Sequence, residues 1–217
     1  MNVEQARFNM IEQQIRPWNV LDPAVLSLLG AVKREDFVPV AHRSLAFMDI
    51  EIPLADGQVM LAPRLEARLL QELALHRNEK VLEIGTGSGF MAALLAHKSQ
   101  QVLSYEIRPA LAAMARENLR HAMVMNAEVR QGDGIAGDAG RGPWDAIVLS
   151  GSVAQVPQAL LDQLKVGGRL VAVVGSEPMM LAQRITRTGE RDFRTEVLFD
   201  TVAPRLDGFG EPSTFSF

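Results

Sequence analysis

The stretch Val81-Leu82-Glu83-Ile84-Gly85-Thr86-Gly87-Ser88-Gly89 decides the fold. A short apolar run ends in glycines at every second position, and the small-residue segment SGFMAALLAHK (88–98) follows without a break. Strand, glycine turn and helix in that order open a parallel βαβ unit, where glycine lets the backbone approach a ligand closely. Tight strand-to-helix turns also use glycine for packing alone, so the loop by itself names no ligand.

Downstream, the pattern repeats. QVLSYE (101–106) reads as a strand, RPALAAMARENLRHA (108–122) as a helix, and AEVRQGD (127–133) and WDAIVLS (144–150) as further strands. A helix near 155–165 and the strand GRLVAVVG (168–175) follow. Strands alternating with helices predict parallel pairing through right-handed crossovers. From about 181 to 202 the chain alternates and breaks at Thr188-Gly189-Glu190, which predicts a hairpin and an antiparallel edge. The expected fold class is α/β, a doubly wound, mostly parallel sheet with an antiparallel C-terminal edge.

Upstream, residues 1–76 read as helical. Phe8, Ile11 and Ile15, then Val25, Leu28, Leu29 and Val32, recur at helical spacing. Asp22-Pro23 has the form of an N-cap with proline at the first helical position, and Pro63 opens another helix with Leu65, Leu69, Leu70 and Leu73 inside. Between them DIEIPLADGQVM (49–60) predicts a short extended pair around Asp56-Gly57. The expected organisation is a helical segment over 1–76 packed on a nucleoside-binding unit over 77–217, one compact body.

Composition narrows the function. With 217 residues, 47% of them hydrophobic, and a net charge of -4, the chain can bury a sizeable core and does not carry the basic surface of a phosphate-neutralising protein. The absence of cysteine excludes disulfides, thiolate metal sites and a cysteine nucleophile. The N-terminal MNVEQARFNMIEQQIRP is polar, and no apolar run approaches about 18 residues. A cytoplasmic protein bound to neither nucleic acid nor membrane is expected. The four histidines have no ligand spacing, so no metal is expected. Met114, Met123 and Met125 read as core filler, and Trp18 and Trp144 as packing residues.

Three acids sit where the doubly wound pattern brings strand ends together. Glu106 ends the second strand, about 20 residues past the loop, where such folds bind ribose hydroxyls. Asp133, in Gln131-Gly132-Asp133-Gly134, could meet an adenine amino group or cap a turn. Glu83 lies within an apolar strand, where a carboxylate is costly without a partner. Acids in place of phosphate-binding cations suit a cationic nucleoside, which favours S-adenosylmethionine over a dinucleotide.

With these residues in view, the sequence resembles the protein-L-isoaspartate (β-aspartate) O-methyltransferases over nearly the whole chain. The resemblance rests on VLEIGTGSGF, YEIRPAL, Gly132-Asp133-Gly134, WDAIVLSG and QVPQALLDQLKVGGRLVAVVG, with VKREDFVP (32–39) and LAFMD (45–49) upstream. It implies a seven-stranded methyltransferase sheet and S-adenosylmethionine as cofactor. Glu83, Gly85, Thr86 and Gly87 would line the methionine and ribose end, and Ser88 would start the helix. Glu106 and Ile107 would meet the ribose side, with Asp133 and Gly134 near adenine.

The acceptor half departs from the family. Its usual Gly-Gln-Thr-Ile-Ser-x-Pro-His-Met stretch reads Gly57-Gln58-Val59-Met60-Leu61-Ala62-Pro63-Arg64-Leu65 here. Leu61 stands for the serine, Arg64 for the histidine, and Phe47 for a signature tyrosine. The segment SGSVAQVP (150–157) also differs from the family's Thr-Ala-Ala loop. Leu61 and Arg64 are therefore the candidate acceptor-site residues, Arg64 as a carboxylate clamp or as a solvated helix residue. A carboxylate acceptor with pKa near 4 is already ionised, so the serine's loss removes an orienting donor rather than a base. The implied acceptor is an isoaspartyl protein or peptide; a different small acceptor, or a non-catalytic cofactor-binding module, are the alternatives. Phe209, Phe215 and Phe217 could cover the cleft, pack on the sheet or meet another subunit.

Overall fold

A computed structural model describes residues 2–210; Phe215 and Phe217 lie outside them. Helices α1 (Val3–Asn9), α2 (Pro23–Ala31) and α3 (Pro63–Leu73) precede the sheet, with strands β1 (Ile52–Pro53) and β2 (Val59–Met60) between α2 and α3. The main body follows as β3 (Lys80–Ile84), α4 (Phe90–Lys98), β4 (Gln101–Glu106), α5 (Pro109–His121), β5 (Ala127–Gln131) and β6 (Trp144–Val153). It ends with α6 (Gln158–Leu161), β7 (Leu164–Ser176), β8 (Met179–Arg187) and β9 (Phe193–Asp200).

Seven strands form one sheet in the order β5-β4-β3-β6-β7-β8-β9. The first five in that order run parallel, and β8 and β9 add antiparallel. Side chains alternate across it. Val81, Val102, Val129, Ala146, Val148 and Val171 face a core shared with α2–α5 and the N-terminal segment. Leu82, Ile84, Leu103, Ile147 and Leu149 face a second core closed by α6, Trp144 and Phe209. The runs 146–149 of β6 and 170–173 of β7 are apolar at every position because both faces are covered.

Local chemistry explains the elements upstream. The Asp22 carboxylate accepts from the Ala24 N–H at 2.8 Å, capping α2 with Pro23 at its first position. β1 and β2 pair antiparallel, and Asp56 and Gly57 take positive φ in the turn between them. Helix α3 buries Leu65, Leu69, Leu70 and Leu73 and ends at Ala74 in a left-handed conformation.

Several expectations are corrected. Phe8 is 58% exposed. Arg7 takes the inward position, held by Glu4 and Glu35, and a wide π-turn over Met10–Ile15 carries Met10, Ile11 and Ile15 inside. The helix expected over 155–165 is the four-residue α6, because Leu164 already pairs with Trp144 ahead of an irregularity in the β6–β7 ladder. Met123 and Met125 are 82% and 90% exposed: the chain turns at Met123 with φ 54 beyond α5, so neither reaches the core. Trp18 is exposed too, its face covered by a guanidinium.

One buried ion pair joins the N-terminal segment to the helix that lies against the sheet. Arg34 is fully buried; its guanidinium bonds the Glu66 carboxylate of α3, donates to the Leu61 carbonyl at 2.7 Å, and lies 5.0 Å from the Phe90 ring centre. Burial pushes the Glu66 carboxyl above its ordinary range, and Arg34 opposes that shift. Deleting one partner strands the other charge in a dry site, a loss of about 3–5 kcal/mol. Arg34→Met is therefore expected to lower the unfolding free energy by about 3 kcal/mol or more. Urea unfolding at pH 7 measures this; a loss below about 1 kcal/mol would show that the pair does not hold the segment.

Candidate active site

The cleft lies at the C-terminal ends of the parallel strands, where doubly wound sheets bind ligands. Its walls include Gln58, Val59, Gly85, Gly87, Tyr105, Glu106, Ile107, Gly134, Ser150, Leu206 and Asp207. Beyond Gly85, Gly87 and Ser150 a second, smaller hollow opens, lined by Met60, Leu61, Glu66, Thr86, Ser88 and Met91. Val59 and Ser150 border both, so the two spaces adjoin.

Strand β3 builds the floor. Gly85 leaves it at φ 90, and a Cβ there would stand 2.6 Å from Leu206 Cδ2. Only glycine fits both that torsion and that approach. The Gly87 N–H donates to Glu106 Oε2 at 2.8 Å, and Glu106 Oε1 accepts from the Arg108 N–H at 2.9 Å. Glu106 thus braces the loop from the neighbouring strand end while lining the cleft. Gly134 lies so close to Ile84 that a Cβ would come within 2.7 Å of Cγ2. At the outer rim, Asp133 is exposed and accepts from the Ile135 N–H at 2.9 Å, the turn-capping geometry.

Glu83 lies beneath this floor rather than in it. It is fully buried, and its two oxygens accept from Ser104 Oγ at 2.6 Å and Ser150 Oγ at 2.8 Å. Thr86 Oγ1 is 2.6 Å from Ser104 Oγ, so a chain of hydroxyls links the loop, β4, Glu83 and β6. Among the described residues no cation pairs with Glu83. Burial, with Glu66 and Glu106 nearby, pushes its pKa up to about 8 despite the two hydroxyl donors. Its route to the cleft is Ser150, which lines both hollows.

The two acceptor-side positions separate. Leu61 is buried and lines the smaller hollow, giving it an apolar wall. Arg64 does not line it. Its guanidinium bonds Asp49 and lies 4.4 Å from the Trp18 ring centre, which occupies its charge and its flat face. Arg64 is thus a partly exposed, ion-paired residue of α3 rather than a free guanidinium. Of the three acids singled out, Glu106 lines the cleft, Glu83 underlies it and Asp133 stands at the rim. Gln58, Val59, Ser150, Leu206 and Asp207 complete the walls. Gln58 and Val59 fall within the motif stretch already read; Leu206 and Asp207 carry no motif, and only their path in space brings them in.

The donor set fits a cationic nucleoside. Among the described residues lining the cleft the polar side chains are those of Gln58, Tyr105, Glu106, Ser150 and Asp207, beside glycine backbone and with no lysine or arginine. Glu106 could take ribose hydroxyls, and Gly134 offers backbone where a flat base needs close approach. The nearest guanidinium, that of Arg108, stands just outside this lining and is taken up by Asp207, so a phosphate would find no free cation in these walls.

Known proteins bear on this geometry. The model of the protein-L-isoaspartate(D-aspartate) O-methyltransferase family matches residues 5–203. Protein-L-isoaspartate O-methyltransferase 2 of Pelobacter propionicus is 41% identical over 91% of this chain and 88% of its own. The Methanoculleus marisnigri protein-L-isoaspartate O-methyltransferase is 40% identical over 88% and 86%. A Plasmodium falciparum crystal structure assigned to the protein-L-isoaspartate O-methyltransferases, in complex with S-adenosyl-L-homocysteine, superposes with a TM-score of 0.81. That pair covers 95% and 99% of the two chains at 19% identity, a likeness of fold.

The buried carboxyl has a signature in stability. Between its ordinary value of 4.5 and about 8, Glu83 holds a proton in the folded protein that the unfolded chain has released. This favours the folded state at low pH, and the advantage is lost as pH rises through about 8. The slope from this group is at most about 1.4 kcal/mol per pH unit. Glu83→Gln should flatten the decline measured by urea unfolding between pH 5 and 8; an unchanged slope would mean that Glu83 does not titrate there.

Proposed function

The chain belongs to the protein-L-isoaspartate(D-aspartate) O-methyltransferase family, and from that premise we propose that it methylates the side-chain carboxylate of L-isoaspartyl residues in damaged proteins. It is an S-adenosylmethionine-dependent methyltransferase. The observation that carries the acceptor reading is the pair of adjoining hollows: a cation-free nucleoside cleft opens, past Gly85, Gly87 and Ser150, onto a smaller space beside Leu61.

When bound, S-adenosylmethionine supplies a sulfonium methyl that passes to an ionised carboxylate oxygen, the O–C bond forming as the C–S bond breaks, with no proton to move. The chain's work is alignment, worth on the order of 7–11 kcal/mol in well-oriented reactions. Glu106 and the Gly85–Gly87 backbone would hold the ribose and methionine side, Ile107 and Gly134 the base side. Asp133 stands at the rim on that side. Ser150 would steady the junction of the hollows, backed by Glu83. Leu61 keeps water from the acceptor side, where it supplies an apolar wall instead of a hydroxyl donor. Without that donor the acceptor loses roughly 1–3 kcal/mol of orientation. Residues 1–76 form the acceptor-side segment of one compact body on this reading, supported by the core that they share with one face of the sheet.

No described helix is long and apolar enough to cross a membrane. A cytoplasmic setting belongs to the same reading and is supported by the cysteine-free composition.

Methyl transfer from labelled S-adenosylmethionine to an isoaspartyl peptide, beside the matching aspartyl peptide, tests the proposal. Label in the isoaspartyl peptide alone is expected. No transfer by protein that demonstrably binds the cofactor would overturn it and point to a different acceptor beside Leu61.

A further inference from the structure

Past β9 the chain crosses the C-terminal edge of the sheet. Ala203 is buried in the first core and Phe209 in the second, so the segment between them is held at both ends. The Ser152 N–H donates to the Pro204 carbonyl at 2.7 Å and the Leu206 N–H to the Ser152 carbonyl at 2.9 Å, a short parallel bridge to β6. Leu206 lies over Gly85 and Gly151, and Gly208 lies against Asp133.

Between these fixed points stands Asp207. Its Oδ2 accepts from Arg108 Nη2 at 2.6 Å, Arg108 Nε at 3.1 Å and Gln58 Nε2 at 3.3 Å. The donors come from opposite sides of it, Gln58 from the cleft lining and Arg108 from just outside. Arg108 follows Glu106 and Ile107 at the cofactor cleft, and its own N–H donates to Glu106. Gln58 belongs to the β1–β2 hairpin, three residues before Leu61. One carboxylate oxygen therefore joins three chain segments at this edge.

We propose that Asp207 is a positioning residue that couples cofactor retention to the placement of the acceptor hairpin; the inference rests on the cleft being the S-adenosylmethionine site. An isolated half-exposed ion pair contributes little. This one differs because its segment is already ordered by the Ser152 bridge and the two buried anchors, so the pair orders little more chain. Asp56 and Glu106 also act on Arg108, both acidic, and keep the guanidinium at this junction. Without Asp207, the Gln58 wall and the Leu206 wall lose their common fastening. Bound nucleoside would leave faster, and the acceptor would meet a less fixed hairpin.

The test follows dissociation of S-adenosylhomocysteine from the full-length wild type, Asp207→Asn and Asp207→Ala, with KM and kcat for an isoaspartyl peptide. Asp207→Ala should raise both the dissociation rate and KM about 3- to 10-fold, with Asp207→Asn between, and change kcat less. Raising salt from about 0.05 to 0.5 M should bring the wild-type rate toward that of Asp207→Ala and leave the variant's rate unchanged. A folded Asp207→Ala, with the wild-type unfolding midpoint and a wild-type dissociation rate, would overturn the proposal. If the wild type binds the nucleoside but methylates no isoaspartyl peptide, the acceptor reading fails and the dissociation rates still decide the role of Asp207.

Discussion

Everything at the working edge of this sheet depends on a carboxyl group buried without a cation. Glu83 is on β3, directly paired with Ser104 of β4 and two residues short of the level of Ser150 on β6. Each neighbour supplies one hydroxyl. Moving either strand by one residue would turn that serine to the other face and leave the carboxyl unsatisfied. The group therefore fixes the register of three strands at the point where the glycine loop departs, and Thr86 ties the loop into the same chain of hydroxyls. A leucine at this position would have served packing alone.

The two halves of the site are built differently. The cofactor half is mostly backbone and short polar side chains on rigid strand ends. The smaller hollow, the acceptor side on the proposed reading, rests on a two-strand hairpin, a buried leucine and the Arg34–Glu66 pair, with Glu66 lining it and Arg34 also gripping the Leu61 carbonyl. Leu61 is thus held in place by a guanidinium outside the hollow, whose partner Glu66 lines it. Changes of side chain at 61 can alter what the hollow accepts without disturbing how it is supported.

Much of this was legible in the sequence, and the remainder was hidden for physical reasons. Periodicity and turn residues marked all seven strands of the sheet, the C-terminal hairpin, the Asp22 cap and the helix that starts at Pro63, because these features are local. Glu83 stood out as an acid in an apolar run, yet its partners are serines from other strands, which no local pattern signals. Phe8 misled because spacing cannot foresee a π-turn or an inward arginine with two carboxylates. Met123 and Met125 misled because apolar character alone says nothing about a turn beyond a helix. Arg64 was ambiguous in sequence; Asp49 and Trp18, far along the chain, resolve it. Leu206 and Asp207 were silent, since their part comes only from the route of the chain over the sheet.

That route also sets an order of assembly. The segment from Ala203 to Phe209 touches the ends of β6, β3, β4 and β5, so it has nothing to lie on until those strands are paired. Contacts so distant along the chain form late, after the entropy of closing long loops has been overcome. A folding chain could therefore hold a paired sheet, with its glycine loop shaped and its hydroxyls satisfied, while the nucleoside cleft still lacks one wall. In this molecule the pairing of the sheet and the completion of the binding cleft are separate steps, the second resting on the first.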